Sequence, residues 1–219
     1  MKVKVCGIAD NENLLEIAAS GTDYVGFIFV DSSPRNAAGK IDPATVERIN
    51  AEFPAVKRIG VFLNEKVNVI LKAIEVYKLD AVQLHGNESP EDCLTLKSNT
   101  QVVKTIAIAD ASSFDKCMIY EGKVDHFLFE TSGRLAGGNG FGFDWDLLNE
   151  YKGETSFFLS GGIGPSDTIR ISLLRTPNSK LIGVDVNSKF ELYPGKKNIA
   201  LVNVFVDTLK NGIHEVRSF

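Results

Sequence analysis

The chain has 219 residues, with 24 Lys+Arg against 28 Asp+Glu for a net charge of −4, and 44% hydrophobic residues. The acidic balance argues against a nucleic-acid partner, which would call for a basic patch or stripe. No apolar run approaches the roughly 20 residues of a membrane span, and the length suits one or two domains at about 150 residues each.

Lys2–Cys6 reads as a first strand. Asn11–Ser20 follows as a helix, with Asp10 as its cap and Leu14, Leu15, Ala18 and Ala19 on one side. Tyr24–Phe29 and Arg58–Phe62 are the next strands. Asn64–Lys78 then carries Val67, Ile70, Leu71, Ile74 and Tyr77 at helical spacing behind a cap-type Asn. Ala81–Leu84 is a strand, and Ser89-Pro90-Glu91-Asp92 opens a helix with a cap, a first-turn proline and two early acids. Strands Val102–Ile106, His126–Phe129, Phe157–Ser160 and Leu181–Val184 follow. Ser166 is placed to cap a helix running to Leu174, and Asn198–Lys210 forms a last amphipathic segment.

Several of these strands are continuously apolar rather than alternating, the pattern of parallel strands covered on both faces. Eight strands alternating with about eight helices predict a single (β/α)8 TIM barrel, one domain over residues 1–219. An open doubly wound sheet is the alternative, because alternation does not prove closure. Against it, Cys6-Gly7-Ile8 stands after the first strand, where a GxGxxG loop would be expected. Cys6, Cys93 and Cys117 form no CxxC pair, and His85, His126 and His214 are far apart, so no metal site is expected. The start of the chain lacks the apolar stretch of a signal peptide, and a reducing cytoplasm is the expected compartment.

In such a barrel the chemistry sits where the strands run out into βα loops. Ser160-Gly161-Gly162-Ile163-Gly164 and Asp185-Val186-Asn187-Ser188 end the last two strands; their glycines and backbone amides either permit tight turns or cradle a phosphate. Cys6 ends the first strand, as a small buried residue or as a thiolate base whose pKa nearby helix N-termini would lower. Glu130 directly follows an apolar strand, as a solvated loop acid or as a general acid. Arg35 could fork onto a carboxylate. His85 reads as a structural histidine or a site residue, Cys93 and Cys117 as packing residues, and the glycines of Gly137–Gly142 as a loop able to close over the mouth.

Taken together, these segments resemble the phosphoribosylanthranilate isomerase family along nearly the whole chain. The matching pieces are Lys2-Val3-Lys4-Val5-Cys6-Gly7-Ile8, Gly26-Phe27-Ile28-Phe29 with Ser32-Ser33-Pro34-Arg35, and Gly60-Val61-Phe62-Leu63-Asn64. They continue with Ala81-Val82-Gln83-Leu84-His85-Gly86-Asn87-Glu88-Ser89-Pro90, Gly137-Gly138-Asn139-Gly140 with Phe143-Asp144-Trp145, and Leu159-Ser160-Gly161-Gly162-Ile163. Gly183-Val184-Asp185-Val186-Asn187-Ser188, with Glu191 and Pro194-Gly195, completes the set.

The resemblance implies an Amadori rearrangement of N-(5-phosphoribosyl)anthranilate without cofactor or metal, in a monomer or homodimer. It implies Glu130 as acid, Cys6 as base and Arg35 on the anthranilate carboxylate. His85 would join the substrate-binding set, Gly161, Gly162, Asn187 and Ser188 would hold the phosphate, and Asp185 would lie near the bridging amine or ribose hydroxyls. The chain departs from the family pattern at Glu130, where Asp is usual, at Lys189, where Gly is common, and at Asn187, where Ser is common. Two other readings stay open: a histidine-pathway isomerase on the same barrel, which typically has Asp in place of Cys6, and a phosphosugar-binding barrel without catalysis.

Overall fold

The computed structural model describes residues 1–131, 145–174 and 180–212. Eight parallel strands close into a barrel in chain order: β1 (Lys2–Cys6), β2 (Tyr24–Ile28), β3 (Lys57–Phe62), β4 (Ala81–Leu84), β5 (Gln101–Ile108), β6 (His126–Thr131), β7 (Phe157–Ser160) and β8 (Leu181–Val186). β8 returns to β1, with Lys4 opposite Asp185 and Val5 opposite Val186. That pairing closes the sheet and excludes the open doubly wound alternative. β6 and β8 each run two residues further than expected, so Glu130 and Asp185 lie within them rather than in the loops beyond.

The continuous apolar runs have the cause expected of them. Val3, Val5, Val25, Phe27, Val82, Phe127, Phe157 and Leu159 are fully buried and face outward into the main core beneath the helices. Tyr24, Ile59, Ala81, Val103, Leu128 and Phe158 form a separate apolar cluster inside the barrel. With both faces covered, alternation has nothing to encode.

Among the described residues six α-helices surround the barrel: α1 (Asn11–Ala19), α2 (Pro43–Glu52), α3 (Val67–Tyr77), α4 (Pro90–Lys97), α5 (Thr168–Leu173) and α6 (Ile199–Asn211). Asp10 caps α1 by accepting from the Asn13 N–H at 2.8 Å, and Ser89 with Asp92 forms a capping box on α4. α3 begins later than its apolar spacing predicts. Asn64 is in the left-handed region at φ +52°, donates its N–H to Glu88 and accepts from the Asn87 N–H, so it ties two loops together instead of capping a helix.

Regular alternation fails after β5, where Ala111–Cys117 is a 3₁₀ helix, and Trp145–Glu150, ahead of β7, is another. In the first, Ser112 and Ser113 bond locally to Asp110, and Ser113 Oγ also accepts from the Ala109 and Asp110 N–H groups; such local bonds compete with the α-helical ladder. Ser166 does not cap α5. A 3₁₀ turn, Pro165–Asp167, precedes that helix, and its Asp167 carboxylate accepts from the Gly164 N–H.

After β8 a short 3₁₀ turn, Ser188–Phe190, leads into a hairpin of β9 (Glu191–Tyr193) and β10 (Lys196–Lys197). This hairpin places Glu191 and Lys197 beside the strand ends. Cys93 and Cys117 are buried packing residues, and burial pushes their thiols up to about 11 and about 12. The Gly137–Gly142 loop, the matching pieces Gly137-Gly138-Asn139-Gly140 and Phe143-Asp144, and His214 lie outside the described residues.

Candidate active site

At the C-terminal ends of the strands lies a cavity of about 200 Å³. All nine residues singled out in the sequence line it: Cys6, Arg35, His85, Glu130, Gly161, Gly162, Asp185, Asn187 and Ser188. Sequence positions from near the start of the chain to near its end are thus gathered at one mouth, as barrel closure requires.

Cys6, at the end of β1, is 4% exposed. Room for its sulfur comes from the neighbouring strand: a Cβ on Gly26 would lie 2.8 Å from Cys6 Sγ and 3.0 Å from Cys6 Cα. Burial pushes the thiol above its ordinary range, while the Lys4 and Lys197 ammonium groups pull it down and Asp185 pushes it up. The expectation of a thiol lowered by helix N-termini is therefore corrected. Desolvation dominates, and the groups that favour the thiolate are two lysines.

Lys4 is 1% exposed, inside the barrel. Its ammonium donates to Asp185 Oδ1 and to Gln83 Oε1, both at 2.9 Å, and its charge acts on the Cys6 thiol. Burial alone would lower it, but Asp185 and Cys6 together more than offset this and hold it above the usual lysine value. Ser160 Oγ donates to the other Asp185 oxygen at 3.2 Å. Asp185 is thus a fixed part of the cavity floor, with both carboxylate oxygens engaged.

Glu130 faces His85 across the mouth, with Oε2 at 3.1 Å from His85 Nε2. The other ring nitrogen, Nδ1, is 3.3 Å from Gln83 Nε2 and 3.4 Å from Thr105 Oγ1. Arg35 is pinned by a fork onto Glu191, with Nε and Nη2 at 2.9 and 2.6 Å from its two oxygens. A guanidinium has five N–H donors, so this fork leaves others for a second anion. Lys197 Nζ also donates to Glu191 at 2.7 Å and to Asn187 Oδ1 at 2.6 Å. Burial alone would raise Glu191, but bonds from Arg35 and Lys197 hold its carboxyl below the usual range; burial lowers Lys197, partly offset by Glu191.

The β7 loop passes through Gly161 at φ +98° and Gly162 at φ +66°, a backbone path that side-chain-bearing residues rarely follow. Beside it, the Lys189 stem packs where a Gly164 Cβ would lie, 3.0 Å from Cδ. Ser188 and Asn187, just past the end of β8, line the same cavity. Among the described residues no group of three or more His, Cys, Asp or Glu side chains could hold a metal ion, and no helix is long and apolar enough to cross a membrane.

Reasoning from the sequence did not single out Lys4, Lys197 or Thr105. Lys4 interrupts an apolar strand at a position that reads equally well as a solvent-facing alternation. Its partner Asp185 is 181 residues away, so no local pattern could show the pair.

A model of the family described as N-(5′-phosphoribosyl)anthranilate (PRA) isomerase matches residues 3–208. The N-(5′-phosphoribosyl)anthranilate isomerase of Parabacteroides distasonis is 42% identical over 217 residues, covering 99% of this chain and 93% of that protein. The crystal structure of the Thermotoga maritima phosphoribosyl anthranilate isomerase superposes with a TM-score of 0.81 at 34% identity, over 96% of this chain and 99% of that one. Another structure of such an isomerase, in complex with reduced 1-(o-carboxyphenylamino)-1-deoxyribulose 5-phosphate, gives a TM-score of 0.76 at 31% identity, with the same coverage of 96% and 99%. Barrel, strand-end residues and full-length similarity converge: this chain belongs to the N-(5′-phosphoribosyl)anthranilate isomerase family.

Proposed function

We propose that this chain isomerises N-(5′-phosphoribosyl)anthranilate to 1-(2-carboxyphenylamino)-1-deoxyribulose 5-phosphate in tryptophan biosynthesis, with Glu130 as general acid and Cys6 as general base. The observation that carries the assignment of roles is the meeting of the Glu130 carboxyl and the Cys6 thiol in a single cavity, with the other carboxyl there, Asp185, engaged by Lys4 and Ser160, beside a glycine loop suited to an anion.

Glu130 gives its proton to the furanose ring oxygen. The C1–O bond breaks, and the nitrogen lone pair forms the C1=N bond of a protonated Schiff base. The Cys6 thiolate then takes the proton from C2, whose electrons neutralise the Schiff base to an enolamine. Return of a proton to C1 as the C2 hydroxyl ionises gives the ketone, so the atoms rearrange without net oxidation. The reaction needs a donor and an acceptor at fixed positions and both anionic ends of the substrate held. The β7 and β8 loops would hold the phosphate through Gly161, Gly162, Asn187 and Ser188, and Arg35, held by Glu191, would present its remaining N–H groups to the anthranilate carboxylate. Asp185 keeps Lys4 beside the thiol, and His85 faces the acid.

The raised thiol has a signed consequence. The thiolate is the base, so kcat/KM should rise with pH through and above the ordinary cysteine value of 9.0. The test generates the labile substrate in situ and follows its consumption without added metal, with wild type beside Cys6→Ala and Glu130→Asp. Turnover by wild type that falls by about 10³-fold in Cys6→Ala is the expected result. Binding of a product analogue with no turnover would instead identify a phosphosugar-binding barrel.

A further inference from the structure

A lysine inside the barrel and a glutamate at its mouth are joined by an unbroken chain of polar contacts: Lys4 to Gln83, Gln83 to His85, His85 to Glu130. Each link has a definite direction. An ammonium can only donate, so the Gln83 atom 2.9 Å from Lys4 Nζ must be the amide oxygen. The amide nitrogen is thereby turned toward His85, and since an amide NH₂ also only donates, Nδ1 at 3.3 Å must accept. Thr105, which receives the second Gln83 N–H at 3.1 Å, holds the amide in this orientation, and its hydroxyl is free to donate to the same Nδ1.

We propose that Lys4, acting through Gln83, locks His85 as the neutral tautomer with its proton on Nε2, and that His85 so locked directs the transferable proton of Glu130 to Oε1. His85 and Lys4 are positioning residues in this scheme, which rests on Glu130 being the general acid. The Nε2–H group donates to Glu130 Oε2, 3.1 Å away. A carboxyl proton on Oε2 would point at that N–H, so it resides on Oε1, the oxygen left for the substrate.

Neutrality matters as much as direction. An imidazolium beside Glu130 would favour the carboxylate and disarm the acid, whereas a neutral N–H donor orients the carboxyl without that penalty. Two groups able to donate face Nδ1, so in the neutral ring it is the accepting nitrogen. Among the described residues Glu130 lies against this ring, and Lys104 and Lys116 line a second cavity with it; the Lys104 ammonium is committed to Glu88 and to the Leu84 and Gly86 carbonyls.

The test is a ring ¹⁵N–¹H correlation spectrum of the full ¹⁵N-labelled chain near neutral pH, with the His85 signals identified by their loss in His85→Asn. Wild type is expected to show a protonated Nε2 and a bare Nδ1. Gln83→Glu keeps the shape and the Lys4 contact but turns the donor facing Nδ1 into an acceptor, so a proton should appear on Nδ1. In parallel kcat should fall by about 10²-fold, the scale of a misplaced reacting group, with KM nearly unchanged. A wild-type His85 carrying its proton on Nδ1 overturns the lock without any variant having to fold, as does a folded Gln83→Glu with the wild-type pattern. Isomerase activity with the wrong tautomer would sink this inference and leave the proposed function standing; the expected tautomer without isomerase activity would sink the role given to Glu130.

Discussion

Two rings of side chains fill the barrel, supplied by successive inward positions of the same strands. Ala81 is followed two residues on by Gln83, Val103 by Thr105, Leu128 by Glu130 and Phe158 by Ser160. The lower ring is apolar and packs as a small core of its own, with Tyr24 and Phe158 meeting edge to face at 5.4 Å. The upper ring, with Lys4 and Asp185 added, is a hydrogen-bonded set in which all but Glu130, 37% exposed at the mouth, are buried. The contrast teaches what a site costs a fold: the lower ring draws stability from its burial, whereas the upper ring must recover the desolvation of each polar group through a partner. It does recover it. Among the described residues the buried side-chain nitrogen or oxygen atom lacking a partner is Arg58 Nη1, which is not in this ring.

The largest effect expected from breaking the upper ring is on rate, not on stability. Glu130→Gln keeps the shape and an oxygen able to face His85 Nε2 but has no proton to transfer, so kcat should drop by about 10³-fold, or about 4 kcal/mol in the barrier. Steady-state kinetics beside a thermal melt check this: the melting temperature should hold while the rate collapses. Near-normal turnover would remove Glu130 from the chemistry.

Next comes a matched pair, one residue from each ring. Lys4→Met leaves Asp185 buried without its cation, a loss of about 3–5 kcal/mol, and it also frees the Gln83 amide. Ile59→Ala, in the lower ring, opens a cavity and costs about 2–5 kcal/mol. Urea denaturation should find the two comparably destabilised. Activity per folded molecule should separate them, falling steeply in Lys4→Met and staying near wild type in Ile59→Ala. Equal activity losses would mean that the polar ring serves the fold and nothing more.

The two rings also differ in how far they can be read from sequence. The lower ring belongs to continuous apolar runs, which mark the strands, their number and the barrel. The polar residues that end those runs, such as Cys6, Glu130 and His85, stand out because they break an apolar pattern at a predicted strand end, and all the predicted site residues line one cavity. What pairs them was not legible. Lys4 and Asp185 meet through barrel closure, and Lys197 reaches Asn187 and Glu191 through a hairpin too short to leave a periodic signal. The ionisation of Cys6 is hidden for the same reason, since helix termini are visible in a sequence and the depth of a thiol is not. The missing α-helix after β5 reflects local serine and aspartate bonds, which hydrophobic spacing does not record.

A smaller effect should follow from narrowing the space beside the thiol. In Gly26→Ala the new methyl would meet Cys6 Sγ at 2.8 Å and its Cα at 3.0 Å, too close for either to stay in place. Overpacking of this kind costs about 1–3 kcal/mol, and the displaced sulfur should lower kcat more than it raises KM. Thermal melts and kinetics report the two parts separately. A variant with wild-type stability and rate would show that β1 and β2 can spread without cost.

The smallest effect tests whether the upper ring acts as a unit. Ser160→Ala removes the donor to Asp185 Oδ2 but leaves Lys4 on Oδ1, so the carboxylate remains paired. A single hydrogen bond of this kind is worth about 0.5–1.5 kcal/mol, and the loss in a denaturation curve should fall in that range. The effect on kcat should be smaller still, because Lys4 keeps Gln83 oriented and the His85–Glu130 contact is untouched. A double cycle with Lys4→Met sharpens the point. If Asp185 is the shared partner, the two losses should fail to add, since once Lys4 is gone the serine becomes the remaining side-chain donor to a buried charge and its removal should cost more than it does alone. Strict additivity would mean that Asp185 finds other donors, such as water entering the cavity, and that the ring is a set of independent contacts.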